Sequence, residues 1–336
     1  MAISLKPLRE QVIVITGASS GIGLATAQAA AREGARVVLA ARNAEALEHA
    51  SRDIDSAGGE AIYVVADVSK GEDVKKVARV AIARFGGFDT WVNNAGQGIY
   101  GKLEEVSEDD NRRLFDINFW SQVHGSLIAV KHLKQRGGAL INVGSLVSEN
   151  PSPLMGIYVA TKHAVKGFTD TLRQELEAEN APVSVTLIMP TAINTPFPQH
   201  AKNYMDREPR LPDPVYQPEE VAAAILYAAT HPERDVHVGT AARMMSTLNR
   251  QMPRAMDWLG EHVLNRQQVR DEPPRNPEGS LYRSSDGGRV RGDHPGRVKP
   301  VSLYNRAERH PVLSGLLLLG MAGAALAVVQ GVRARR

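Results

Sequence analysis

Uninterrupted apolar runs alternate along this chain with stretches of helical periodicity, and that alternation narrows the possible folds more than any other feature. The runs are QVIVIT (11–16), ARVVLAAR (35–42), AIYVVADV (61–68), FDTWVNNAG (88–96), ALINVGS (139–145), VSVTLIMP (183–190) and a short DVHVG (235–239). A strand solvated on one face alternates apolar with polar residues, whereas one buried on both faces reads as a continuous run. Helical patterns fill the intervals: to about Gly34, to about Ala57, in DVKKVARVAIARFG, around 110–135 and across 157–179. Such alternation predicts right-handed βαβ units and an α/β fold. Its doubly wound parallel sheet of about seven strands has helices on both faces.

The 336 residues exceed a typical single domain, and the pattern places one large unit at 8–265. Residues 266–310 are rich in Pro, Gly, Arg and Ser, which predicts a flexible linker. Residues 312–329, VLSGLLLLGMAGAALAVV, carry no charge and are flanked by arginines. As a helix they span about 27 Å against a hydrocarbon core of about 30 Å. A transmembrane or membrane-anchoring helix is therefore expected at 311–332. The N-terminus runs into a strand without a signal-peptide apolar region. The expected location is membrane-associated with the main domain facing the cytoplasm, and a soluble cytoplasmic protein is the alternative.

Forty Lys and Arg against 37 Asp and Glu leave a net charge of only +3, with no basic block interleaved with aromatics, so nucleic acid is not an expected partner. The absence of cysteine excludes disulfides, thiolate metal sites and cysteine nucleophiles. His132, His163 and His200 do not form a metal-ligand spacing, and no metal is expected.

The first strand runs directly into TGASSGIG (16–23), which opens a helix. Gly17, Gly21 and Gly23 allow a tight turn and close approach to a pyrophosphate, and the helix N-terminus adds unpaired N–H groups and positive dipole. Ser19, Ser20 and Ile22 belong to the same turn. A nucleotide is thus the expected ligand. A fold that binds NAD usually ends its second strand with an acid for the ribose hydroxyls. Here Ala41 and then Arg42 stand there. A guanidinium suits a 2′-phosphate, which favours NADP (NADPH), with NAD as the other candidate.

These motifs, with ADV (66–68), NNAG (93–96), Asn118, NVGS ending at Ser145, YVATK (158–162) and MPTAINT (189–195), stand in the order of a short-chain dehydrogenase/reductase. The chain resembles the single-domain branch of that superfamily over residues 8 to 260. The resemblance implies a Rossmann-type fold, NAD(P)-dependent hydride transfer, a small alcohol or carbonyl substrate and a homo-oligomer. It implies that Asp67 and Val68 contact the adenine. Asn93, Asn94, Ala95 and Gly96 wall the cofactor site, and Pro190, Ile193 and Thr195 border the nicotinamide. Ser145, Tyr158 and Lys162 are the implied catalytic set, with Asn118 supporting a water in a proton relay. Thr191 replaces the usual glycine after Pro190, and Ser20 stands where many NADP-preferring relatives carry a basic residue.

Tyr158 and Lys162 are spaced to share one helix face. A free phenol has a pKa of about 10 and is a poor base at neutral pH. An ammonium at roughly 4 Å and an effective dielectric of about 20 favours the phenolate by about 4 kcal/mol, with desolvation opposing it. The pair is therefore expected to be an acid/base tuned by Lys162, which also reaches the ribose. Ser145 is expected to bond the substrate oxygen. The leading expectation is an NADP-dependent oxidoreductase acting on a lipophilic secondary alcohol, ketone or aldehyde. A non-catalytic NADP(H)-binding sensor or scaffold is the alternative, against which stands the presence of Ser145, Tyr158 and Lys162. The loop 196–217 is expected to shape the substrate pocket. The stripe Met245, Leu248, Met252, Met256, Leu259 and Val263 is expected to form the packing face of a helix.

Overall fold

The structure, a computed structural model, describes residues 3–239 and 242–302. At its centre lie β1 (Val12–Thr16), β2 (Arg36–Ala41), β3 (Glu60–Val65), β4 (Thr90–Asn93), β5 (Gly138–Val143), β6 (Val183–Pro190) and β7 (Asp235–Val238). They form one sheet in the order β7-β6-β5-β4-β1-β2-β3, with every neighbouring pair parallel. The continuous runs explain the centre. β1, β4, β5 and β6 are buried along their whole length, whereas the edge strand β3 alternates and exposes Tyr63 and Val65.

Successive residues feed opposite faces. Ile13, Ile15, Val37 and Leu39 pack under α1 (Gly21–Arg32) and α2 (Ala44–Ser56). Val12, Val14, Val38 and Ala40 pack under α3 (Gly71–Phe85) and, beyond α4 (Glu108–Phe115), under α5 (Ser121–Arg136) and α6 (Gly156–Ala178). Each fully buried aliphatic side chain of this kind contributes about 1.5–3 kcal/mol. A further helix, α7 (Pro218–Ala228), lies in a stretch for which the sequence reading gives no element. Pro218 at its first turn and Glu219 and Glu220 beside it are ordinary start signals. The small residues Ala27 and Ala30 of α1 let it lie close to Ala224, Ile225 and Ala228 of α7.

The strand order reverses at β1 and β4, and the segments leaving these two strands diverge to leave a crevice at the carboxyl edge. One π-helical turn, Asp116–Trp120, separates α4 from α5, with Ser121 N donating to Asp116 O. Such single-turn π segments re-aim one side chain, and here Asn118 is fully buried.

Three expectations change. The Met stripe is not one helix: α8 (Ala242–Gln251) and α9 (Pro253–Leu259) break at Met252, which is exposed, and only Met256 of the stripe is buried. The stretch from 268 to 302, read from composition as a linker, lies against the domain. Gln268, Ser280, Leu281 and Ser302 are buried, and Val298–Lys299 pairs in parallel with Val215–Tyr216. The membrane and transmembrane assignment is also corrected. No helix of the described residues is long and apolar enough to cross a membrane, and the segment 312–329 that suggested one lies outside the described residues.

Candidate active site

The turn after β1 is built by close backbone approach. Gly17 has φ +68°, and a Cβ there would lie 2.8 Å from Ala95 Cα. At Gly23 a Cβ would lie 2.2 Å from Gly17 O, so the start of α1 can sit against the turn only without a side chain. Thr16 locks this turn to the loop after β4. Its Oγ1 accepts from Asn94 N (3.0 Å) and Ala95 N (3.2 Å), and Asn94 Nδ2 donates to Thr16 O (2.9 Å). Asn93 plays a structural part beneath, bonded to Trp91 Nε1 (2.8 Å) and Asn142 Oδ1 (2.8 Å).

A cleft runs along this edge. One end is lined by Gly17, Ser19, Ser20, Gly21 and Ile22, by Arg42, Asp67 and Val68, and by Asn94, Ala95 and Gly96. The other end holds Ser145, Tyr158, Lys162, Pro190, Ile193 and Thr195. Ile22, Asn94, Gly96, Thr195 and Phe197 line both ends and make them one trough. The residues singled out from sequence thus converge, with two qualifications. Gly23 acts beneath the turn, and Asn118 sits behind the wall. The Asn118 amide accepts from Gln97 N (2.8 Å) and donates to Gln97 O (2.9 Å) and Thr161 Oγ1 (3.1 Å), clipping the β4 loop to α6.

At the far end Arg42 donates to Ser280 O (2.5 Å) and Leu281 O (3.2 Å). Asp67 pairs with Arg113 (2.9 Å) and accepts from Ser69 Oγ (2.8 Å). Burial opposes ionisation of Asp67, but these hydrogen bonds outweigh it and hold the carboxyl below the usual range. Arg113, one helical turn and a residue before Asn118, is a site residue that the sequence reading missed. So is Gln268 of the pocket wall, whereas Phe197, whose ring centroid lies 5.4 Å from that of Tyr158, Leu211 and Pro212 belong to the loop 196–217 expected to shape the pocket.

At the near end Tyr158 and Ser145 line one pocket, and Lys162 Nζ lies 5.7 Å from the centre of the Tyr158 ring while donating to Val143 O (2.9 Å). The expected tuning does not hold in the protein alone. Burial pushes the Tyr158 phenol up to about 12, against a smaller opposing effect of Ser145. Burial likewise pushes Lys162 down to about 8. Desolvation wins because Lys162 is buried and Tyr158 is partly covered at the same edge. Thr191, in place of glycine, lines the near end of the trough, and its hydroxyl donates to Val238 O (3.1 Å) at the end of β7.

The Lys162 value has a stability consequence. Its folded pKa is depressed from 10.5, so the penalty for keeping it charged is complete below pH 8 and fades as pH rises from 8 to 10.5. Lys162→Met should therefore stabilise the cofactor-free protein at pH 7, by up to about 3 kcal/mol, with the gain shrinking towards pH 10.5. Thermal unfolding at the two pH values measures it. A lower Tm for the variant at pH 7 would mean that the ammonium's bond to Val143 outweighs its desolvation.

With the fold and trough in place, comparison with known proteins assigns the family. Residues 11–205 match the model for short chain dehydrogenases. The uncharacterized oxidoreductase YxnA of Bacillus subtilis is 46% identical over 324 residues, covering 95% of this chain and 91% of that protein. Only about a twentieth of the chain lies outside that match, so it takes in 268–302. The 11-beta-hydroxysteroid dehydrogenase A of Sesamum indicum is 35% identical, covering 74% of each chain. Among solved structures, an alcohol dehydrogenase from the archaeon Thermococcus sibiricus complexed with 5-hydroxy-NADP superposes with a TM-score of 0.59 at 32% identity, covering 68% of this chain and 94% of that one. A short chain dehydrogenase/reductase from Burkholderia phymatum in complex with NAD gives 0.67 at 28% identity, covering 75% and 96%. The chain belongs to the short-chain dehydrogenase/reductase family, and it is an oxidoreductase of that family.

Proposed function

We propose that this oxidoreductase uses NADP(H) to interconvert a lipophilic ketone or aldehyde and its alcohol, with Tyr158 as the proton-transfer residue. The observation that carries the reading is that Ser145, Tyr158 and Lys162 line one apolar pocket continuous with the glycine-lined end of the trough. A dinucleotide fits the residues present. The α1 N-terminus and Gly17–Ile22 suit the pyrophosphate, and Arg42, with no acid beside it on β2, suits a 2′-phosphate. Lys162 uses one of its three N–H bonds on Val143 among the described residues, which leaves two for ribose hydroxyls.

The hydride is the chemistry that a bound nicotinamide supplies. The chain does the rest. In reduction the Ser145 hydroxyl orients the substrate oxygen, and Tyr158 Oη gives its proton to that oxygen as charge develops there. A phenol held up at about 12 is fully protonated at neutral pH and so enters this direction as a ready acid. Lys162 fixes the phenol's position and favours the phenolate left behind. Asn118 holds the loop and α6 in register. Leu146, Val147, Met155, Leu211 and Pro212 line the pocket, and their apolar surface excludes water and favours a lipophilic substrate.

The test is loss of NADPH absorbance with a panel of aliphatic, aromatic and polycyclic aldehydes and ketones. Turnover that improves as the carbonyl compound grows more apolar is expected. Turnover confined to small polar carbonyl compounds would overturn the assignment of substrate class.

A further inference from the structure

We infer that residues 280–292 form a strap that closes the adenosine end of the trough over bound dinucleotide, so that cofactor exchange requires the strap to lift. This rests on the nucleotide-binding reading of the trough. The strap is fastened on both sides of the cleft. At one side Leu281 is fully buried in a small cluster with Ile99, Leu114 and Ile117, and Ser280 N donates to His200 O (2.8 Å). The Leu281 carbonyl accepts from two guanidiniums at once, Arg42 Nη1 (3.2 Å) and Arg113 Nε (3.3 Å). The chain then crosses to α2, where Asn43 Nδ2 donates to Ser285 O (2.7 Å). It reaches the phosphate turn, where Gly288 N donates to Ser19 O (2.8 Å) and Gly21 N to Arg289 O (2.9 Å), and ends on the loop after β6, where Gly292 N donates to Asn194 O (3.2 Å).

Between its fastenings the strap bridges the cleft instead of filling it. Ser284 and Ser285 line the same cavity as Ser19, Ser20, Arg42 and Asp67. Its glycines keep it low: a Cβ on Gly287 would lie 2.2 Å from Ala46 Cβ, and one on Gly292 would lie 2.4 Å from Thr195 O. The fastenings are hydrogen bonds to backbone groups, the Tyr282 Oη–Asp110 bond (2.8 Å), the Arg291–Glu219 ion pair and two apolar side chains, buried Leu281 and half-buried Val290, while Tyr282, Arg283, Ser284, Asp286 and Arg289 are exposed. Segments with few buried apolar contacts open at low cost. The strap is therefore built to lift while the sheet beneath stays intact. Arg42 has five N–H donors and uses two on the strap, so it ties the strap to the group that would bind the 2′-phosphate.

Trypsin reads the strap directly in the unaltered protein, because Arg283 and Arg289 are exposed on it, with the exposed Arg254 and Arg266 as reference sites. Saturating NADPH should slow cleavage after Arg283 and Arg289 about tenfold relative to the reference sites. In a stopped-flow chase read by nucleotide fluorescence, Leu281→Ala and Gly287→Val should each release NADPH about tenfold faster, because each loosens one fastening. Equal cleavage with and without NADPH, or unchanged release in both variants, overturns the strap. If NADPH binds and is turned over while the strap is indifferent to it, only the strap fails. If no nicotinamide nucleotide binds, the strap and the proposed function fail together.

Discussion

Tyr158→Phe should lower kcat by about 10²–10⁴-fold, the usual cost of losing a positioned proton donor, and leave NADPH affinity within about threefold. The ring remains to pack 5.4 Å from Phe197, so the pocket keeps its shape and only the hydroxyl is lost. The direction of the Tyr158 shift also fixes the pH dependence. A pKa raised to about 12 keeps the phenol protonated well past neutrality, so carbonyl reduction should hold from pH 6 to 7 and fall only as Lys162, with a pKa of about 8, loses the charge that favours the phenolate. Alcohol oxidation needs the phenolate and should climb with pH over the same range. Steady-state rates of both directions in wild type and variant check this. A variant retaining more than about a tenth of the wild-type rate excludes proton transfer by Tyr158.

Arg42→Asp should reverse the cofactor preference, moving the ratio of kcat/KM for NADPH over NADH by about 10²-fold or more. Charge-assisted hydrogen bonds to a phosphate are worth about 1.5–3 kcal/mol each, and every 1.4 kcal/mol is about tenfold. The substitution removes such bonds and sets a carboxylate where β2 ends, the position from which an acid serves ribose hydroxyls. The same substitution frees the strap, which weakens both nucleotides alike and leaves their ratio as the readout. Equal efficiency of the unaltered protein with NADPH and NADH would remove the 2′-phosphate role from Arg42.

Most of the sheet could be read in the sequence because its central strands are buried on both faces, and QVIVIT and VSVTLIMP contain little else than core residues. The candidate site was legible as a cluster for a related reason. Close backbone approach at Gly17 and Gly23 and the one-turn spacing of Tyr158 and Lys162 are written in residue types at fixed offsets. What could not be read were effects without a local signature. The strap is fastened by carbonyls of Ser280, Leu281, Ser285 and Arg289, and a carbonyl is the same in every residue, so composition showed only Pro, Gly, Arg and Ser. The π turn at Asp116–Trp120 looks like any helix in sequence. The spacing of Tyr158 and Lys162 gives the sign of their Coulomb interaction but not the depth of burial, and burial decides both pKa values.

The most direct measurement follows a label. NADPH carrying deuterium at the transferable C4 position is incubated with the enzyme and an apolar ketone, and the product is examined by mass spectrometry and NMR. Hydride transfer in this trough predicts one deuterium on the carbinol carbon of the product, formed by the wild type and reduced at least about a hundredfold in Tyr158→Phe. NADPH bound by the wild type with no deuterated alcohol from any ketone or aldehyde offered would contradict the catalytic reading.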